Sequence, residues 1–198
     1  MARTPNEERR RLKLETILEC ACAVFCRKGF NSVTMKDIVD ECGISRGGIY
    51  LYYHSVEEVF VAAAKYHTKR KYDGICKLVG TGIPFGELLD SYFATQKERF
   101  LHMEDSILLA TYEYFFTHRG PEDRALQQSL VSSLHDTIAE ILNLGARQGV
   151  LEDKGLPELT ENFLFVFEGM SVLALLGGIS EERIDRQLAL MRSQLPLK

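Results

Sequence analysis

The sequence contains none of the short motifs that mark the common classes of enzyme. It has no G-x-S-x-G nucleophile elbow, no phosphate-binding P-loop, no G-x-G-x-x-G fingerprint and no H-E-x-x-H zinc motif. Its five histidines are scattered without the spacing of metal ligands. We therefore expect no catalytic residues, no cofactor and no bound metal, and a protein that is not an enzyme.

The sequence also lacks a segment long and apolar enough to span a membrane. The most apolar run, residues 163–179, is shorter than the roughly 20 residues of a spanning helix, and Glu168 lies in its middle. No segment alternates apolar and polar residues as a strand would, so an all-α fold is expected. A helix that is apolar on nearly every side must be covered all round. A second copy of the chain is the economical cover for the side that its own domain does not reach.

The sequence contains five cysteine residues, an odd number: Cys20, Cys22, Cys26, Cys42 and Cys76. An odd count without a signal peptide predicts a reducing, cytoplasmic location. Cys22 and Cys26 are one helical turn apart, so one possibility is a metal or redox site with Cys42. The other is that these thiols act as small core hydrophobes.

Net basic charge, the usual mark of a nucleic-acid-binding protein, is missing from the chain as a whole but not from its first part. The 24 Lys and Arg residues and 28 Asp and Glu residues give a net charge of -4. Residues 1–55 contain nine basic and seven acidic side chains, a net of +2, and the rest carries -6. This asymmetry fits a DNA-reading head on an acidic body.

What the sequence does contain is three helix starts in close succession within residues 33–59. Thr34, Ser45 and Ser55 are each suited to an N-cap, and Asp37 completes a variant of the capping box. Gly43 lies in the short turn after the first of these helices, where a left-handed residue is favoured. Two short helices joined by such a turn predict a helix-turn-helix.

The second of these helices predicts a surface that faces a partner. At 100° per residue, Ile49 and Tyr53 fall on the packing side. The opposite side carries Arg46, Gly47, Tyr50, Leu51 and His54. Gly47 and Gly48 both lower helix propensity, so we expect them to provide clearance for a partner. Such a face is what a recognition helix needs in a major groove.

The residues that follow one unbroken register from about residue 12 to residue 60 resemble the tetracycline-repressor (TetR) family. They are Ile17, Leu18, Ala21, Phe25, Gly29, Phe30, Thr34, Ile38, Cys42, Gly43, Ile44, Ser45, Gly47, Ile49, Tyr50, Tyr53 and Glu57. The family usually has Lys on each side of the third N-cap, where this chain has His54 and Val56, and the second Lys typically holds a DNA phosphate.

The resemblance implies a ligand-responsive transcriptional regulator, a repressor released from a palindromic operator by a small molecule. It implies a helix-turn-helix DNA-binding domain in residues 1–55 and a helical effector-binding and dimerisation domain in residues 56–198. The first helix of the second domain would be the connector, and the last two helices would form a homodimer. The alternative is an all-helical module that uses the same motif to bind protein rather than DNA.

Site residues can be assigned on this basis. We expect phosphate contacts from Thr34, Lys36 and Tyr50, and groove contacts from Arg46, Gly47 and Leu51. Gly48 would allow close approach, with Ser45, Tyr52 and His54 at the margin. An effector of unknown identity is predicted to contact aromatic and orienting side chains of the body: His102, Met103, Tyr112, Phe116, Phe163 and Phe167.

Two further expectations concern local structure. Residues 1–11 show no apolar period and predict a flexible arm, whose Arg9, Arg10 and Arg11 either touch DNA or are solvated. A helix before the Gly120 break predicts a buried stripe made of large apolar side chains: Leu108, Leu109, Tyr112, Phe115 and Phe116.

Overall fold

The computed structural model describes residues 5–103 and 106–198, and helices account for most of them. They are α1 (Pro5–Lys28), α2 (Met35–Cys42), α3 (Arg46–Tyr50), α4 (Val56–Gly80), α5 (Phe85–Leu101), α6 (Leu108–Thr117), α7 (Pro121–Arg147), α8 (Leu156–Leu175) and α9 (Glu181–Ser193). The only β pairing in the described ranges is an isolated bridge between Leu151 and Leu197. The all-α prediction is confirmed. None of the described helices has the length and apolar character required to cross a membrane.

The described chain forms two compact units. Unit 1 comprises residues 5–67 and 106–127, and unit 2 comprises residues 68–103 and 128–198. Helix α4 begins in unit 1 and continues into unit 2. The division differs from a cut at residue 55, because α6 packs with the N-terminal helices although it lies far along the chain.

The predicted helix starts in unit 1 are confirmed. The hydroxyl of Thr34 donates to the carboxylate of Asp37 at 2.8 Å and accepts from its backbone N–H at 3.3 Å. Helix α2 ends at Gly43, whose φ of 61° is left-handed. Lys28, paired with Asp37 at 2.6 Å, and the Thr34 hydrogen bonds hold the pKa of Asp37 well below its usual range. The predicted arm of residues 1–11 is corrected in its described part: residues 5–11 are the first turns of α1, and residues 1–4 lie outside the described residues.

Helix α6 is attached to the end of α1 by one carboxylate. Glu113 accepts hydrogen bonds from the backbone N–H groups of Phe30 at 2.6 Å and Asn31 at 2.9 Å. Gly29 is left-handed, with φ of 71°, and a Cβ built on it would lie 2.6 Å from the same carboxylate. The glycine therefore serves both the backbone conformation and the close approach of Glu113.

An aromatic cluster forms the core of unit 1 where α1, α4 and α6 meet. The ring centroids of Phe60 and Tyr114 are 4.7 Å apart, and that of Phe30 lies 5.2 Å from Phe60 and 5.1 Å from Tyr114. The Tyr114 hydroxyl donates to Asp123 at 2.6 Å. Burial, followed by the hydrogen bond to Asp123, raises the pKa of this phenol well above its usual value.

The apolar stripe predicted for α6 is wrong. The face that packs inward carries Ala110 and Tyr114, whereas Leu109 is 42% exposed and Phe116 is 68% exposed. The periodicity of large apolar residues selected the opposite side of the helix. The side chains of α6 that pack inward in unit 1 are instead a small residue, a phenol and the Glu113 carboxylate.

Unit 2 is built on α5, α8 and α9 with the C-terminal part of α7. Phe163 and Phe167 of α8 are fully buried, and each has its ring centroid 6.2 Å from Phe93 of α5. The opposite side of α8 remains exposed and apolar: Phe165, Val172, Leu173 and, just beyond the helix, Leu176. The helix is therefore covered on one side only by its own unit.

The two glycines of α3 have different roles. Gly47 is open, with no atom within 4 Å of a built Cβ. Gly48 is buried, and a Cβ there would lie 2.9 Å from the Cγ2 methyl of Ile44. The clearance expected at Gly48 for a partner is thus filled by the protein itself, which corrects that part of the prediction.

Alanine substitutions at these two adjacent positions should change stability in opposite directions. Gly47→Ala should stabilise the protein by up to about 1 kcal/mol through helix propensity. Gly48→Ala should destabilise it by about 1–3 kcal/mol, because the methyl group overpacks the contact with Ile44. Urea unfolding of the two variants measures both effects. Equal shifts of the same sign would contradict the packing described for Gly48.

Candidate DNA-binding surface

Helix α3 presents a short, capped and solvent-exposed surface. Ser45 caps it by accepting a hydrogen bond from the Gly48 N–H at 3.3 Å, and Ile49 is fully buried beneath it. Arg46 and Gly47 are exposed, and Leu51, just after the helix, is 76% exposed. A leucine that exposed gains nothing from the core of the protein, so it is available to a partner.

The helix is shorter than the sequence predicted, because it ends at Tyr50 and a turn follows. The side chains of Tyr50 and Tyr52 are half-buried, whereas His54 is exposed. The backbone N–H of His54 donates to the carboxylate of Glu58 at 2.7 Å, which fixes the start of α4. Of the five residues predicted for the outward side, Arg46, Gly47, Leu51 and His54 are exposed and Tyr50 is half-buried.

Basic side chains lie over the rings of two tyrosines in this surface, Tyr50 and Tyr52. The guanidinium carbon of Arg46 is 5.3 Å from the Tyr50 ring centroid. On the Tyr52 ring, Arg10 and Lys13 of α1 lie 5.9 and 5.8 Å from the centroid. These distances are within the range of cation–π attraction. The two cations of α1 are therefore held next to α3.

Lys13 was missed by sequence reasoning, and Arg10 was assigned to an arm. The detectable signal was their spacing of three residues, which puts both on one face of a helix. Their neighbour Arg11 behaves differently. It forms ion pairs with Glu15 at 2.6 Å and with Glu8, so its charge is engaged within α1.

At α2, the predicted phosphate ligands are exposed but already have partners. Lys36 has a side chain that is 83% exposed and lies 2.6 Å from Asp40, which raises the pKa of the ammonium group. Such an exposed pair is weak and can be exchanged for a phosphate contact. Thr34 is also exposed, although its hydroxyl is engaged in the N-cap.

The six residues predicted for an effector are divided between the units. Tyr112 and Phe116 belong to unit 1, with ring centroids 6.3 Å apart, and His102, Met103, Phe163 and Phe167 belong to unit 2. Met103, Phe163 and Phe167 are buried in the core, whereas His102 is exposed. A groove of about 360 Å³ in unit 2 contains none of the six and is lined by polar and apolar residues, among them Lys154, Glu158 and Gln194.

The cysteines, all of them free thiols, make contacts that differ from the Cys22, Cys26 and Cys42 arrangement considered for a metal site. Cys42 contacts Cys20, and burial, followed by this contact, raises the pKa of the Cys42 thiol to about 12. Cys22 donates to the Ala63 carbonyl at 3.6 Å. Across residues 5–103 and 106–198, no group of three or more His, Cys, Asp or Glu side chains is arranged to hold a metal ion.

Comparisons with known proteins agree on one family. Residues 17–63 match the family described as bacterial regulatory proteins, tetR family. The Bacillus subtilis (strain 168) protein YfiR, an uncharacterized HTH-type transcriptional regulator, is 31% identical over 174 residues, which covers 85% of this chain and 82% of YfiR.

Solved structures share the fold. The reduced form of Escherichia coli NemR superposes with a TM-score of 0.75 at 15% identity, covering 94% of this chain and 98% of NemR. A Saccharomonospora viridis protein crystallised with choline gives a TM-score of 0.70 at 22% identity, covering 95% of this chain and all (100%) of that one. With the capped helix-turn-helix of unit 1, these similarities show that the chain belongs to the tetR family of transcriptional regulators.

Proposed function

We propose that the protein is a homodimeric repressor that binds a palindromic operator through α3 and releases it when a small molecule binds. The observation that carries the proposal is the exposed set Arg46, Gly47 and Leu51 on a short helix fixed by caps and by the buried Ile49. An arginine can bind the guanine edge, and an apolar side chain can contact a thymine methyl group. A regulator of this kind acts on the chromosome, so we propose a cytoplasmic location.

The phosphate contacts that we propose surround this set. Lys36, Thr34 and the Tyr50 hydroxyl are the contacts expected from the sequence, and the Thr34 hydroxyl would exchange its bond to Asp37 for one to phosphate. The positions of Arg10 and Lys13 beside Tyr52 add two cations to them. Phosphate contacts fix the register of the protein on DNA, and base contacts give specificity. Ser45, Tyr52 and His54 remain at the margin, and the buried Gly48 is left out of the proposed surface.

The two kinds of DNA contact predict different mutant behaviour. A duplex selected from a random pool and a scrambled duplex serve as specific and nonspecific probes. Arg46→Ala should weaken binding to the selected duplex by about 1–3 kcal/mol and relax the preference at particular base pairs. Tyr50→Phe should weaken binding to both duplexes alike. Fluorescence anisotropy at several salt concentrations measures each affinity.

Arg119→Ala is the matched control, since Arg119 is also exposed in unit 1 and lies outside the proposed surface. It should leave both affinities unchanged. If Arg46→Ala shifts specific and nonspecific affinity equally, the assignment of Arg46 to the bases is wrong. If the wild-type protein binds neither duplex at low salt, the motif serves a partner other than DNA.

The dimer that we propose uses the exposed apolar side of α8 together with α9. Phe165 is 70% exposed and Leu176 is 78% exposed, and Leu190 of α9 adds a further apolar side chain at 51%. Contiguous apolar patches on soluble proteins mark interaction sites. A second copy of the chain brings the same patch, as a two-fold interface requires.

A charge in this patch should split the dimer. An unpaired carboxylate buried in an interface costs about 3–5 kcal/mol, which corresponds to a dimer dissociation constant raised by roughly a hundredfold or more. Phe165→Glu tests this by sedimentation equilibrium. Its matched control is Phe116→Glu, because Phe116 is 68% exposed but lies in unit 1. Dissociation by both variants, or by neither, would contradict the assigned interface.

The effector is proposed to act through α4, which is one uninterrupted helix of 25 residues from Val56 to Gly80. Only residues 51–55 separate it from α3, so a rotation of α4 would move the DNA-contacting surface. Paired recognition helices must meet grooves about 34–36 Å apart, and a small rotation removes that match. By linkage, operator and effector then weaken each other by the same factor.

A further inference from the structure

Three polar side chains of α5 enter the apolar core of unit 2 on one face of the helix. Tyr92, Gln96 and Arg99 are separated by four and three residues, which aligns them along the helix. Tyr92 and Gln96 are each only 8% exposed. Polar residues of this size are placed in a core at a cost in stability unless hydrogen bonds compensate.

Two of the buried polar atoms have no such compensation. The hydroxyl of Tyr92 and the Oε1 atom of Gln96 have no hydrogen-bond partner among the described residues. Buried side-chain oxygen atoms are nearly always satisfied in folded proteins. A phenylalanine and a leucine would fill the same space at lower cost, so the structure alone does not account for these two polar groups.

The third residue brings a positive charge to the cluster. Arg99 is half-buried, and its guanidinium donates to the hydroxyl of Ser171 at 3.3 Å. Ser171 is fully buried on α8 and donates in turn to the Phe167 carbonyl at 2.8 Å. Burial raises the pKa of Tyr92 well above its usual value, and the charge of Arg99 opposes that shift. Near neutral pH the Tyr92 hydroxyl is therefore a hydrogen-bond donor.

Aromatic rings lie beside Tyr92 and Arg99. The ring centroid of Phe167 lies 5.8 Å from that of Tyr92 and 6.2 Å from that of Phe100. The guanidinium carbon of Arg99 is 4.9 Å from the centroid of Phe100. The cluster therefore combines a charged donor, Arg99, with a neutral donor, Tyr92, and with the amide of Gln96. Aromatic side chains lie beside it, as is common in ligand-binding sites.

We propose that Tyr92, Gln96, Arg99 and Ser171 form the polar end of the effector site and that they take the carboxylate of a small apolar acid. The proposal rests on the proposed function and specifies the chemical class of its effector. A guanidinium and a phenol both donate to carboxylate oxygens, and arginine suits that geometry. The Gln96 amide carries a donor and an acceptor, so it serves a carboxylate oxygen or a hydroxyl of the ligand. A cationic ligand is disfavoured by the charge of Arg99.

The position of the cluster also connects binding to assembly. Phe167 of α8 packs on Tyr92, with ring centroids 5.8 Å apart, so a ligand that binds at the Tyr92 hydroxyl would have to displace the Phe167 ring. The same helix carries Phe165 and Leu173 on its exposed side. A ligand that moves α8 would thus alter the face that we assign to the dimer.

The test uses octanoate and benzoate as probes on the full chain, with octanol, benzyl alcohol and choline as matched ligands without the carboxylate. In isothermal titration calorimetry, at least one of the two acids should bind with a dissociation constant at least tenfold lower than that of the corresponding alcohol. Choline should not bind. Binding of choline, or equal binding of acids and alcohols, would overturn the assignment of a carboxylate.

Tyr92→Phe separates a ligand site from a structural role. It should weaken binding of the acid by tenfold or more while the urea midpoint stays the same or rises, because the unsatisfied hydroxyl is removed. Arg99→Gln should weaken the acid and leave the alcohol unchanged. Tyr72→Phe, a half-buried tyrosine elsewhere in unit 2, is the control and should alter neither. Unchanged acid affinity in both Tyr92→Phe and Arg99→Gln, or no binding of either acid to the wild type, would refute the site.

Affinity for the selected DNA duplex, measured with and without the acid, keeps this proposal distinct from the proposed function. Acid binding that depends on Tyr92 and Arg99 supports the site, even where the duplex affinity does not respond. In that case the site stands, and the proposed release of DNA by an effector fails. If the wild-type protein binds the DNA duplex but binds neither acid, the proposed DNA-binding function stands and the carboxylate site fails.

Discussion

The interaction on which the DNA-reading unit depends is the contact of Glu113 with the end of α1. A single carboxylate accepts two backbone hydrogen bonds, from Phe30 and Asn31, directly before the helix-turn-helix. Tyr114, its neighbour in α6, packs on Phe30 and Phe60. The head is therefore not a purely N-terminal module, because a helix from the middle of the chain supplies part of its core.

This arrangement gives a physical basis for regulation. The chain passes between the two units three times: within α4, between α5 and α6, and within α7. A change in unit 2 thus has three covalent routes to unit 1. In unit 2 itself, α8 combines a core side that carries Phe163 and Phe167 with an exposed apolar side, so its packing and the proposed dimer are properties of one helix.

Local rules in the sequence predicted the helix-turn-helix well, because capping residues such as Thr34, Ser45 and Gly43 act on their immediate neighbours. The contacts across long distances in the chain were not predictable in the same way. Glu113 is an ordinary surface residue in a helical pattern until α6 packs against Phe30. The same limit explains the wrong stripe on α6 and the internal role of Gly48, whose neighbour Ile44 becomes close only through the turn. The effector contacts stay a prediction, since apolar spacing does not distinguish a core from a pocket.

The requirement of the head for α6 is tested most directly by comparing two polypeptides in urea unfolding and two-dimensional NMR. One contains residues 5–67 alone, and the other joins residues 5–67 to residues 106–127 through a flexible Gly/Ser linker of about 20 residues. A domain of about 60 residues is marginal without additional burial. The joined chain should unfold cooperatively with a dispersed spectrum, and residues 5–67 alone should not. Equal unfolding midpoints and equally dispersed spectra for the two polypeptides would contradict the dependence of the head on α6.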